Sequence, residues 1–171
     1  MDIFSHGLWA GAGAKAVNLK LNFWLAFFWG VFPDLFAFAI PFVWVITNLI
    51  LGNLTPADLP RPEESEPPSQ NTLWIFRLAS SLYNLSHSLV VFFLIFGIVF
   101  IIFKRPFWEM SGWLLHILFD IPTHSYRFFP TPFLWPLSGF KLDGFSWAHP
   151  WFIALNYGTL LIVYWFLRKR S

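Results

Sequence analysis

Residues 22 to 51 are apolar apart from Asn22, Asp34, Thr47 and Asn48. A run this long has no wet face on which to leave backbone groups. It must satisfy its own hydrogen bonds, and in lipid that selects an α-helix. At about 1.5 Å per residue the run would reach about 45 Å, against a hydrocarbon core of roughly 30 Å. Pro33 and Pro41 interrupt it. Pro33 removes one backbone donor and disfavours helical backbone at Phe32. The run therefore predicts a tilted or broken membrane helix near Pro33, with Asp34 at the break facing a polar cavity. The alternative is that Asp34 caps a helix N-terminus, where a carboxylate is stabilised.

The rest of the chain fits the same solvent. Charged residues make up 12% and hydrophobic residues 57%, whereas a soluble domain carries about 25% charged residues. Residues 4 to 18 hold Gly7, Gly11, Gly13 and several alanines, a composition that lets helices approach closely in a membrane. Residues 73 to 103 read as a long helix in two parts, with His87 at the junction and Lys104-Arg105-Pro106 at the end. Residues 107 to 121 form another apolar segment that Pro122 ends or kinks, and residues 150 to 167 form the last, closed by Arg168-Lys169-Arg170. The predicted fold is all-α: one integral membrane domain over 1–171, a polytopic helical bundle of four to five membrane segments.

Two loops stand out. Residues 53–71 carry five prolines and four carboxylates, which predicts a flexible, solvated linker. Residues 125–149 are rich in Phe, Trp, Pro and Gly, which predicts an aromatic loop at the membrane interface. The basic clusters alternate along the chain, so positive-inside counting puts His6, His87, His124 and His149 toward the outer side. The net charge of +2 comes from short scattered clusters, which gives nucleic-acid binding no support. No cysteine is present, so thiolate ligands and thiol nucleophiles are excluded. The N-terminus lacks the basic region of a cleaved signal peptide.

Within this apolar background stand His6, Asp34, His87, His116, Asp120, His124 and His149. One ionisable group in hydrocarbon costs roughly 3 kcal/mol on insertion scales, so several need a shared purpose. His116, Asp120 and His124 are spaced four apart, which places them within about 80° of one another on a helix. Imidazole nitrogen and carboxylate oxygen suit zinc, and also manganese or iron. Coordination of a divalent metal is the predicted purpose, with a proton or ion path second. The plainer readings are a hydrogen-bonded His116–Asp120 pair and a His87 satisfied by Ser86 and Ser88. No Ser-His-Asp or Gly-rich phosphate arrangement competes.

The ordered elements are His6-Gly7, Phe32-Pro33-Asp34, Asn84-Leu85-Ser86-His87-Ser88-Leu89, the stretch from Leu115 to His124, and Leu134-Trp135-Pro136. This series resembles the YdjM-type family of bacterial inner-membrane metal-dependent hydrolases, over residues 5 to 140. Phe36 stands where that family often has a second acidic residue, and Tyr83-Asn84-Leu85 replaces a His-Arg-Gly-like approach to the second histidine. The ligand order is more distantly similar to that of zinc-dependent phospholipases C. That similarity implies Asp34, His87, His116 and Asp120 on one ion and His6 with Asp120 on a second. It would place His124 and His149 on a third, but Ile153 replaces the Glu expected there. One or two ions are therefore expected.

Together these features predict a membrane-embedded metal-dependent hydrolase of a lipid-linked phosphate ester, working through a metal-activated water. His6, Asp34, His87, His116, Asp120 and His124 are the candidate ligands, with Asp34 or Asp120 as base. Arg127 and Lys141 are candidates to attract the anionic group, or to anchor at the interface. Membrane lipids are the expected partners. The rivals are an intramembrane metal or proton transporter and a non-catalytic protein with a structural metal site.

Overall fold

Asp2, Asn22 and Ser88 each place a side-chain oxygen on the backbone N–H three residues further on, the capping geometry that fixes where a helix starts. From these caps run α1 (Ile3–Ala16), α2 (Phe23–Ile50) and α4 (Leu89–Phe103). In the computed structural model, which describes residues 1–17, 21–59, 73–127 and 129–169, three further helices are present. They are α3 (Trp74–Ser86), α5 (Ser111–Thr123) and α6 (Pro150–Arg168). The all-helical expectation holds for the described residues. Most of the expected 53–71 linker lies outside them.

The break expected at Pro33 is absent. α2 runs unbroken through Pro33 and Pro41, both buried within it. A proline removes only one ladder bond, and packing from neighbouring helices makes that tolerable inside an apolar bundle. Asp34 consequently lies in mid-helix, and Asn22 is the cap instead. The sharp bend falls at His87, where α3 and α4 meet at 60°. There Ser88 starts a new helix with its own cap. α5 likewise continues past the expected stop at Pro122 and ends at Thr123.

α2 and α6 are each long and apolar enough to cross a membrane, and the bent α3–α4 pair passes the same test as one unit. α1 and α5, with 14 and 13 residues, extend only about 20 Å each. Among the described residues, two helices are long enough to span by themselves, or three spans form if the bent pair counts as one.

α2 packs against α1, α3 and α5. Three of these helices meet through glycine. A Cβ on Gly30 would fall 2.6 Å from the His6 carbonyl oxygen, and one on Gly112 would fall 2.5 Å from that of Ala26 and 3.0 Å from the Gly30 nitrogen. Only bare backbone fits this crossing of α1, α2 and α5. Beside it, Phe92, Met110, Trp113 and Ile117 form an apolar cluster against Trp29 and Phe32. The burial pattern is inverted relative to a water-soluble domain. Trp24, Ile50 and Leu161 are 73%, 79% and 74% exposed, while Ser5, His87, Ser88, His116 and Asp120 are buried.

The 125–149 loop also walls one end of the bundle. Backbone N–H groups of Gly144, Phe145 and Trp147 donate to the carbonyls of His124, Pro122 and Thr123 at 2.9, 3.0 and 3.1 Å.

Candidate metal centre

Four elements converge on one buried point. α1 supplies His6, α2 supplies Asp34, the α3–α4 joint supplies His87, and α5 supplies His116 and Asp120. His124 follows directly as the C-cap of α5, with extended backbone. The four-residue spacing on α5 brings His116 Nε2 to 3.1 Å and His124 Nε2 to 3.3 Å from Asp120, on opposite oxygens.

The proton positions follow from the outer contacts. A carbonyl oxygen only accepts, so an imidazole nitrogen facing one carries the hydrogen. His116 Nδ1 donates to the Gly30 carbonyl at 2.7 Å, and His124 Nδ1 to that of Phe129 at 2.8 Å. His87 Nδ1 faces Ser86 Oγ at 2.9 Å and the Tyr83 carbonyl at 3.3 Å. In the neutral rings all three Nε2 atoms are then bare lone pairs turned inward. This is how metal-binding histidines are oriented, with the outer N–H fixed by a backbone oxygen.

Bare lone pairs repel, yet here they crowd together. His87 Nε2 and His116 Nε2 are 3.0 Å apart. Asp120 Oδ2 lies 3.1 Å from His116 Nε2 and 3.5 Å from His87 Nε2, and Asp34 Oδ1 lies 3.7 and 3.5 Å from the same two atoms. Asp120 Oδ2 is buried without a hydrogen-bond partner among the described residues. Around an ion with bonds of about 2.1 Å, tetrahedral ligand atoms sit about 3.4 Å from one another. The five measured separations bracket that value. One atom each from Asp34, His87, His116 and Asp120 therefore forms a group able to hold a divalent cation.

Asp120 presents two faces. Its Oδ2 belongs to this group. Its Oδ1 faces His6 Nε2 at 2.9 Å and His124 Nε2 at 3.3 Å, and is contacted by the Met1 nitrogen. His6 is close to Asp120 in distance, yet neither of its nitrogens has a hydrogen-bond partner among the described residues. Its ring stacks on His116 at 3.6 Å. All six expected ligand residues thus meet in one place, and five have buried side chains. Asp34, with 17% of its side chain exposed, is where the group opens outward.

Three contributors had escaped the sequence reading. Tyr83 stacks on the His87 ring at 3.7 Å, and its hydroxyl donates to the Phe129 carbonyl at 3.0 Å. The four-residue spacing from Tyr83 to His87 was a usable signal for that stack. Gly30 and Phe129 act through backbone carbonyls, which leave no trace in side-chain identity. Phe129 holds a left-handed φ of 45°, a conformation that costs a non-glycine residue energy. His149 stands apart at the N-cap of α6. Arg127 is exposed beside a loop cavity, and the Lys141 carbonyl accepts from the Tyr126 hydroxyl. No family model, curated protein or solved structure matches the chain.

Proposed function

We propose that the protein is a metal-dependent hydrolase of the YdjM type, embedded in the bacterial inner membrane and acting on a lipid-linked phosphate ester. The observation that supports this most is the tight group of bare Nε2 atoms and carboxylate oxygens around one buried point. In this reading α1 and α5 dip into the membrane beside the longer helices, which gives four to five membrane segments.

Asp34, His87, His116 and Asp120 would hold the first ion, with zinc as first choice. Asp120 Oδ1, His6 and His124 offer a second position, so one or two ions are accommodated. A divalent ion held here lowers the pKa of water and neutralises charge on a phosphate ester. The protein's own part is to fix the ligands from behind. The carbonyls of Gly30 and Phe129 and the Ser86–Tyr83 pair hold the outer N–H groups of His116, His124 and His87. Of the two carboxylates, Asp34 is the better placed to take a proton, because Asp120 is enclosed by histidines on both oxygens and Asp34 is open.

The test is elemental mass spectrometry of purified protein, wild type beside His116→Ala and Asp120→Ala, then phosphate release from phosphatidic acid and polyprenyl phosphate in micelles. Near-stoichiometric zinc, manganese or iron, lost in both variants and accompanied by turnover, is the expected result. Folded wild type that takes up none of these metals on reconstitution overturns the reading. Metal or proton flux in liposomes without hydrolysis would instead favour a transporter. Tightly held metal with neither flux nor turnover would favour a structural site.

A further inference from the structure

A cavity of about 690 Å³ lies directly against the end of α5, lined by Ser125, Arg127, Ser146, Trp147 and His149 among others. That volume is in the range of small-ligand sites. Its far wall is the segment whose backbone bonds to Pro122, Thr123 and His124. Gly144 makes this approach possible: a Cβ there would fall 2.2 Å from the Pro122 carbonyl oxygen and 2.6 Å from that of His124. The cavity is therefore tied, through three backbone hydrogen bonds, to the residues carrying a histidine of the metal centre.

One fixed cation, Arg127, and one carboxylate, Asp143, line it. Asp143 Oδ1 is turned to the Tyr126 backbone N–H, from which it accepts at 2.9 Å. Arg127 makes no ion pair or hydrogen bond among the described residues. Ser125, Ser146 and His149 add donors. A planar cation with free N–H groups beside two hydroxyls matches the oxygens of a phosphate.

We propose that this cavity binds a phosphate group, with Arg127 as its main contact. For the choice of ligand the inference rests on the hydrolase reading, in which a lipid phosphate sits beside the metal centre. The binding itself needs no turnover.

The experiment is calorimetric titration of the purified full-length protein in zwitterionic micelles. One probe is a short-chain phosphonate analogue of phosphatidic acid, and the other is inorganic phosphate. Wild type is expected to bind the analogue saturably. Arg127→Ala should weaken binding about tenfold, and Lys104→Ala, at the C-terminal end of α4, should leave it within about twofold, the scale of an uninvolved surface charge. Binding that persists in His116→Ala supports the cavity as the site even if the hydrolase reading fails. Competition by inorganic phosphate assigns the site to free phosphate, and lack of competition assigns it to a lipid headgroup. Equal binding by wild type and Arg127→Ala, or no saturable binding, overturns the proposal. Binding lost in folded His116→Ala but kept in Arg127→Ala also overturns it, because the ligand then sits on the metal centre.

Discussion

His116 shows how much of the centre is decided by atoms that are not side chains. Its Nε2 faces inward because its Nδ1 is held by the Gly30 carbonyl. The same Gly30 has no room for a Cβ against His6 and Ala10. Gly30→Ala is therefore expected to lower stability by about 1–3 kcal/mol through overpacking and to reduce metal content as well. Thermal unfolding and elemental analysis of one sample would check both; unchanged metal in a destabilised variant would separate packing from ligand orientation. The side chains that meet there were legible in the sequence because histidine and aspartate are conspicuous in an apolar run and α5 spaces them by one turn. The carbonyl anchors were not, because every residue has one and only the fold decides which are aimed at the site.

At the scale of elements, α6 is held to α1 by polar contacts in an apolar setting. Asn156 donates to Ser5 Oγ at 2.6 Å and accepts from Trp9 Nε1 at 2.8 Å, while the Tyr157 hydroxyl donates to Asp2 at 2.9 Å. Burial pushes the Asp2 carboxyl up, but the bonds from Ser5 and Tyr157 outweigh it and hold it below its ordinary value. A depressed carboxyl stabilises the fold fully above its unfolded pKa, about 3.9, and loses that contribution as pH falls through the lower folded value. Thermal unfolding in detergent should thus show wild type losing more stability than Asp2→Asn once the pH drops below about 4. Parallel curves would rule out the contribution. Helix existence was readable from the apolar runs. The junction at His87 was readable as well, and the helix does bend there; the break that proline suggested at residue 33 was not formed, because packing carried α2 straight through it.

For the molecule as a whole, the inverted burial pattern is the governing fact. Large apolar side chains on α2, α4 and α6 face outward, while His6, His87, His116, Asp120 and His124 are buried. The full chain is expected to stay in the membrane pellet through an alkaline carbonate wash that strips peripheral proteins; release into the supernatant would contradict the spanning role of α2 and α6. Composition already pointed toward this pattern, since 12% charged residues is about half of what a soluble domain carries.

The crossing of Gly30 and Gly112 against α1 has a consequence for how this chain tolerates change. Outward-facing positions such as Ile40, Phe100 and Leu161 are exposed to whatever surrounds them, and any apolar residue of similar size serves there. The junction accepts no side chain at all. A hydropathy trace rises over the interchangeable positions and barely registers the two glycines. Random mutagenesis would draw the opposite map, silent over most of the apolar sequence and intolerant where three backbones touch.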